Sequence, residues 1–241
     1  VTAATAPPAT PTKVRDARTF WRVLLAVVAP VPALAIAVGG FVAPYDYGAE
    51  DGRDQFAATV AHHDRVGLML LFSPILIFTL VPSALAMIAA CRRHAPVFAT
   101  VVGVLMTLGF LAGTANPSTD LLDYIAVDKN LDANTVITLG DSIENSGFGL
   151  ILLPMLLTIT IGRVLLAVLL WRVRVAPRWM AVAVGAAAPV EFVNVLGGNL
   201  QPGVAWVLTA VGFASASVAL LRTPNDEFDL PPVRRPRPEA G

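Results

Sequence analysis

Charge is scarce in this chain. Asp, Glu, Lys and Arg make up 14% of its 241 residues, against 56% apolar residues and a mean hydropathy of +0.69. Soluble domains carry roughly a quarter of their residues charged, so the shortage argues against a water-soluble core-and-shell protein and for lipid as the main solvent. Cysteine is nearly absent. Cys91 stands alone, which excludes an internal disulfide and any CxxC metal site and leaves the redox compartment open. Lys13 and Lys129 are the only lysines among 17 basic residues, and the bias to Ala, Val and Arg suggests a GC-rich bacterial genome. Val1 reads as a GTG start translated literally. Net charge is zero, but that total hides a strong spatial segregation of the charges and carries no argument about nucleic acid; a basic DNA-binding surface is not expected.

Histidine is equally sparse. With only His62, His63 and His94, and with His94 on the opposite side of the membrane from the other two, bis-histidine haem fails for want of facing imidazoles. Ser142 and Ser146 lie near the outer end of a span, but no later span holds a histidine to act as base for an intramembrane serine protease. Walker loops, dinucleotide fingerprints and kinase signatures are missing as well. No cofactor is therefore expected, and no motif is specific enough to assign a family.

What the chain does have is long apolar runs. They predict an all-α polytopic membrane protein with six transmembrane helices over about 23–43, 66–90, 97–115, 142–171, 179–196 and 204–221. The first run, Val23 to Val42, is 20 residues without a charge, about 30 Å as a helix. Ala33-Leu34-Ala35 resembles a signal-peptide cleavage site, but the apolar run continues past it, which favours a retained helix. Pro30 and Pro32 predict a kink in that span, and Pro74, Pro82, Pro154 and Pro189 fall inside later ones. Gly109 and Gly113 form a GxxxG pair suited to close helix packing within the chain.

Between the spans, residues 45–65 and 116–141 read as acidic external segments, the second long and apolar enough for one or two short surface helices. Asp141 followed by Glu144 resembles a capping box opening the fourth span. Gly197 to Gly203 reads as a tight external turn. Residues 1–22 read as a disordered basic arm and 222–241 as a disordered Pro/Arg-rich tail. Thirteen basic residues fall on the side of the termini (Lys13, Arg15, Arg18, Arg22, Arg92, Arg93, Arg172, Arg174, Arg178, Arg222, Arg234, Arg235, Arg237), against Arg53, Arg65 and Lys129 opposite. By the positive-inside rule both termini are cytoplasmic, and a bacterial inner membrane is the expected location.

Two charges lie inside spans. Arg163 in the fourth is nine residues from Arg172, and Glu191 in the fifth is thirteen from Arg178. At about 1.5 Å per residue they sit about 13 and 19 Å deep, within reach of one another. A charge at the bilayer centre costs about 2.5–3.5 kcal/mol on insertion scales, so such residues face the protein interior and often pair. Asn194, three residues after Glu191, shares its helix face. Arg163, Glu191 and Asn194 therefore form the expected intramembrane polar site, either a solute or ion pathway or a structural ion pair. His62, His63 and Asp64 are weak metal candidates, since adjacent histidines diverge on a helix. Asp120 and Asp123 could bind a cation, although a solvated acidic loop is the blander reading.

The function expected from these features is binding or translocation of a small solute or ion at a polar site between helices four and five, with the lipid bilayer as the obligatory partner. The alternative is a non-catalytic partner that assembles with another membrane protein. A membrane-embedded enzyme comes third, since no nucleophile and base occur together.

Overall fold

The computed structural model describes residues 16–45, 52–115, 118–147, 149–192 and 200–228, and among these it is helical, with no strand. The helices are α1 (Arg18–Val28), α2 (Val31–Val42), α3 (Gly52–Ala61), α4 (His63–Leu70), α5 (Phe72–Cys91) and α6 (Pro96–Ala115). They continue with α7 (Thr119–Asp128), α8 (Ala133–Glu144), α9 (Gly149–Val173), α10 (Arg178–Phe192), α11 (Leu200–Arg222) and α12 (Asn225–Phe228). Among the described residues, five stretches are long and apolar enough to cross a membrane: α1 with α2, α4 with α5, the stretch beginning with α6, the part of α9 from Met155, and α11. The expected fifth span, 179–196, is described only over the 15 residues of α10, because 193–199 lie outside the described residues.

Proline shapes the first two of these stretches. Pro30 has no N–H for the carbonyl of Ala26, so the helix breaks at Ala29-Pro30 and restarts as α2. In lipid the freed carbonyls need other donors. Side chains from neighbouring helices supply them: the Ser217 hydroxyl donates to Ala26 O and the Ser83 hydroxyl to Ala29 O, each at 2.5 Å. Pro74 and Pro202 fall at the third position of α5 and α11, where the N–H has no intrahelical partner in any case.

Helices α2, α5, α6, α9, α10 and α11 pack in that order, and α11 returns to α2 to close the ring. α11 is the most buried of the long helices, with Gly203, Ala205, Ala210, Gly212, Ser215, Ala216 and Ala219 inside. Small residues let backbones approach where lipid offers no hydrophobic drive for association. At Gly212 a β-carbon would lie 2.3 Å from that of Val184 on α10, so no larger residue fits without moving a helix. The outward faces carry Phe78, Val97, Leu71 and Val182, exposed apolar side chains suited to lipid.

Several expectations need correction. Residues 52–61 form α3, where a loop was expected, because Phe56 packs against Ala126 and Val136 of the α7–α8 hairpin. The helix expected as the fourth span, α9, begins at Gly149 rather than Ser142, with α8 a separate helix ending at Glu144. Asp141 does not cap it. The cap is Asp132, whose carboxylate accepts from the Thr135 N–H at 2.9 Å and opens α8. The Thr135 hydroxyl, which also donates to this carboxylate at 2.8 Å, and then the Thr135 N–H hold the Asp132 carboxyl below its ordinary value. Residues 200–203 belong to α11, not to a turn. Nor is the basic arm irregular throughout, since α1 starts at Arg18, and the tail contains α12. Residues 1–15 and 229–241 lie outside the described residues.

The start of α1 meets α12 at one end of the bundle. Arg18 Nη1 donates to the Asn225 carbonyl at 3.1 Å, Arg92 Nη2 to the Phe228 carbonyl at 3.0 Å, and Arg93 pairs with Glu227 at 2.8 Å. Arg22 also donates to the Thr223 carbonyl. The linker between α9 and α10 lies at the same end, with Arg174 at φ 56°. That left-handed conformation costs a residue with a β-carbon about 1–2 kcal/mol.

Candidate functional site

Arg163 projects from α9 into the bundle, where its side chain is 2% exposed. Glu191 comes from the last turn of α10, two residues after Pro189, and its side chain is 19% exposed. The structure brings the two together: Arg163 Nη1 lies 2.6 Å from Glu191 Oε2. The contact is short but off-line, so neither atom makes an aligned hydrogen bond, and Arg163 Nε has no hydrogen-bond partner among the described residues. Unmet donors this deep are rare and call for an explanation.

Two groups that the sequence did not single out complete the site. Trp206 of α11 lies under the guanidinium, with Arg163 Cζ 4.6 Å from the ring centroid, a cation–π contact in a desolvated setting. Phe110 and Phe213 pack around that region, Phe110 tilted against the indole at 6.2 Å. Gln201, at the start of α11, donates from Nε2 to the Glu191 backbone carbonyl at 3.1 Å. Neither partner is legible from spacing, since both depend on how α11 crosses α9 and α10. The Trp206 ring also forms part of the wall of a mainly apolar cavity of about 450 Å³, bounded by Ile36, Leu76, Leu80, Phe110 and Met155. Asn194 lies outside the described residues.

The other candidates are placed as follows. Gly109 and Gly113 face α9: a β-carbon on Gly109 would lie 2.8 Å from Ile159 Cγ1 and 3.1 Å from its backbone nitrogen, and one on Gly113 3.0 Å from Met155 Sδ. His63 stacks on Tyr124, centroids 4.1 Å apart and rings 10° from parallel. Among the described residues no three of His, Cys, Asp and Glu converge to hold a metal ion, so His62, His63 and Asp64 do not assemble into a centre. Asp120 and Asp123 are not a solvated pair. Tyr45 donates to Asp120 Oδ1 at 2.5 Å, and Gln55 Nε2 reaches Asp120 Oδ1 at 3.3 Å and Asp123 Oδ2 at 3.1 Å. These bonds tie α7 to α3 and to the end of α2.

Chemically, the Arg163–Glu191 arrangement is a permanent cation beside a protonatable carboxylate, with donors left over on the cation. A small anion or a neutral acceptor can compete for Arg163, and a proton on Glu191 would release it. No family model matches the chain, and no curated protein or solved structure matches it either.

Proposed function

We propose that the protein is a six-span membrane protein of the bacterial inner membrane, with both termini cytoplasmic, that binds or translocates a small solute or ion at Arg163 and Glu191. The observation that carries the solute reading is the unmet hydrogen-bonding capacity of a guanidinium 2% exposed, in contact with a carboxylate that is still 19% exposed. A purely structural pair would be expected to use that capacity on itself. The preferred solute is small and anionic or hydrogen-bond accepting, because the surplus groups are Arg163 donors. The adjoining apolar cavity, sharing Trp206 as a wall, offers space beside the site.

Six crossings are supported by the meeting of α1 with α12, since an even number returns the chain to its starting side. The basic residues gathered at that end support its cytoplasmic placement. Single cysteines introduced at Asn130 and Asn225 on a Cys91→Ser background test this: only the first should react with an impermeant thiol reagent from outside. Labelling of Asn225→Cys from outside would sink the orientation.

For the site, the chain reconstituted in vesicles would be assayed for uptake of chloride, nitrate and acetate and for movement of protons, using interior dyes. With each flux normalised to the amount of folded protein recovered in the vesicles, Glu191→Gln should lose at least one of these fluxes. Fluxes equal to wild type, or absent from the wild type as well, would turn the pair into a structural one.

A further inference from the structure

At the basic end a second cavity opens, distinct from the Arg163–Glu191 site. Its volume is about 450 Å³, and it lies among the turn after α5, the α9–α10 linker, and the end of α11 with α12. Its polar lining is Arg93, His94, Arg174, Arg222, Thr223 and Glu227, and Val175, Leu220 and Phe228 give it an apolar side. We propose that this cavity binds a phosphate ester anion, supplied by the headgroup of an anionic phospholipid.

Charge is the first argument. Three guanidiniums face one carboxylate, and that carboxylate is already engaged by Arg93 at 2.8 Å. The side chains of Arg174 and Arg222 have no hydrogen-bond or ion-pair partner among the described residues. Planar guanidiniums bind phosphate oxygens in pairs of parallel hydrogen bonds, so two converging arginines make a phosphate clamp.

Backbone conformation is the second. Arg174 directly follows the last residue of α9 and holds φ 56°, with its N–H bonded to the Leu170 carbonyl at 3.1 Å. Helices that end this way use glycine at that position, because a β-carbon is strained there. An arginine in its place aims a cation at the cavity at the expense of local strain, as is common where side chains act on ligands.

Depth selects the source of the phosphate. Trp171 and Trp179 flank the linker that lines the cavity and are both exposed, with Arg178 4.9 Å above the Trp171 ring. Exposed indoles of this kind settle at headgroup level. The cavity therefore lies where lipid phosphates lie, and its apolar side can take the start of an acyl chain. Basic cavities between helix ends are suited to such headgroups. Phosphates line both faces of a bilayer, so the inference holds for either orientation, and its failure would leave the Arg163–Glu191 reading untouched.

The test uses the full chain in detergent micelles, titrated with phosphatidylglycerol, phosphatidylcholine or inorganic phosphate while thermal unfolding is followed. Phosphatidylglycerol should raise the midpoint saturably and phosphatidylcholine should not. A rise with inorganic phosphate alone would keep the phosphate site and change its source to a soluble ester. Arg174→Gly keeps a residue suited to φ 56°, so its ligand-free midpoint should match or exceed that of wild type, while its affinity falls about fivefold, the equivalent of about 1 kcal/mol per basic residue at an anionic surface. Arg222→Gln should behave likewise, and the two together should abolish the shift. Arg178→Gln, outside the cavity, should leave the shift produced by phosphatidylglycerol unchanged, whatever it does to the ligand-free midpoint. The proposal is overturned if phosphatidylcholine matches phosphatidylglycerol, if the double variant keeps the shift, or if Arg178→Gln loses as much as Arg174→Gly.

Discussion

The bundle contains the same two interactions twice, once in its interior and once at its basic end. Arg163 touches Glu191 at 2.6 Å and Arg93 touches Glu227 at 2.8 Å, yet the first pair has side chains 2% and 19% exposed and the second 53% and 55%. Arg163 also lies over Trp206 at 4.6 Å, and Arg178 over Trp171 at 4.9 Å. Distances barely separate the two sets; surroundings do. At the exposed end, water and salt screen each charge, and a pair is worth about 0.2–1 kcal/mol. Inside, Arg163 has lost its water and Glu191 most of it, and each makes the burial of the other tolerable. A short contact thus says little about energy until its solvent is known.

The sharpest way to break the comparison is to remove one buried partner. Arg163→Gln or Glu191→Gln should cost about 3–5 kcal/mol, read as loss of folded protein in detergent or of abundance in the membrane, because each leaves an uncompensated charge. The double variant should recover much of that loss. If it is no better than the sum of the singles, the two are not energetic partners. The next largest effect is expected at the α6–α9 contact. Gly109→Leu should destabilise by about 1–3 kcal/mol through overpacking against Ile159, measured by the same unfolding assay.

Smaller effects sharpen the contrast. A double-mutant cycle on Arg163 and Trp206 should give a coupling of about 2 kcal/mol, against about 0.5–1 kcal/mol for Arg178 and Trp171. Equal couplings would mean that burial does not set the strength of the cation–π contact. Last, Arg93→Gln and Glu227→Gln should each change stability by about 1 kcal/mol or less, and high salt should erase even that while sparing the buried pair. A salt-sensitive Arg163–Glu191 coupling would place that pair in water.

Much of the candidate site could be read along the chain, for a simple geometric reason. Helical rise is constant, so counting residues from the basic ends of the fourth and fifth spans placed Arg163 and Glu191 at reachable depths. Trp206 and Gln201 could not be found that way. Depth along one helix says nothing about which face of a third helix turns toward it, and that rotation is set by packing on α2, α9 and α10. The outer segment around residues 45–65 misled for a related reason. Gly52–Ala61 has little helical amphipathicity of its own, and it is held as a helix by Phe56 in the small core under α7 and α8.

By itself, then, the sequence pointed to lipid as the solvent, to the helical class and to two charges inside apolar runs. Apolar runs of about 20 residues can satisfy their backbone in lipid only as helices, and charges inside them must turn inward. Only the tertiary structure decided what the charges meet. The ring closed by α11 brought Trp206 under Arg163 and Gln201 to Glu191, and the packing of the ends of α5, α9 and α11 with α12 gathered the arginines of distant segments around one cavity. Those juxtapositions depend on how helices rotate and cross as small residues let them approach, a choice made between helices and not along any one of them.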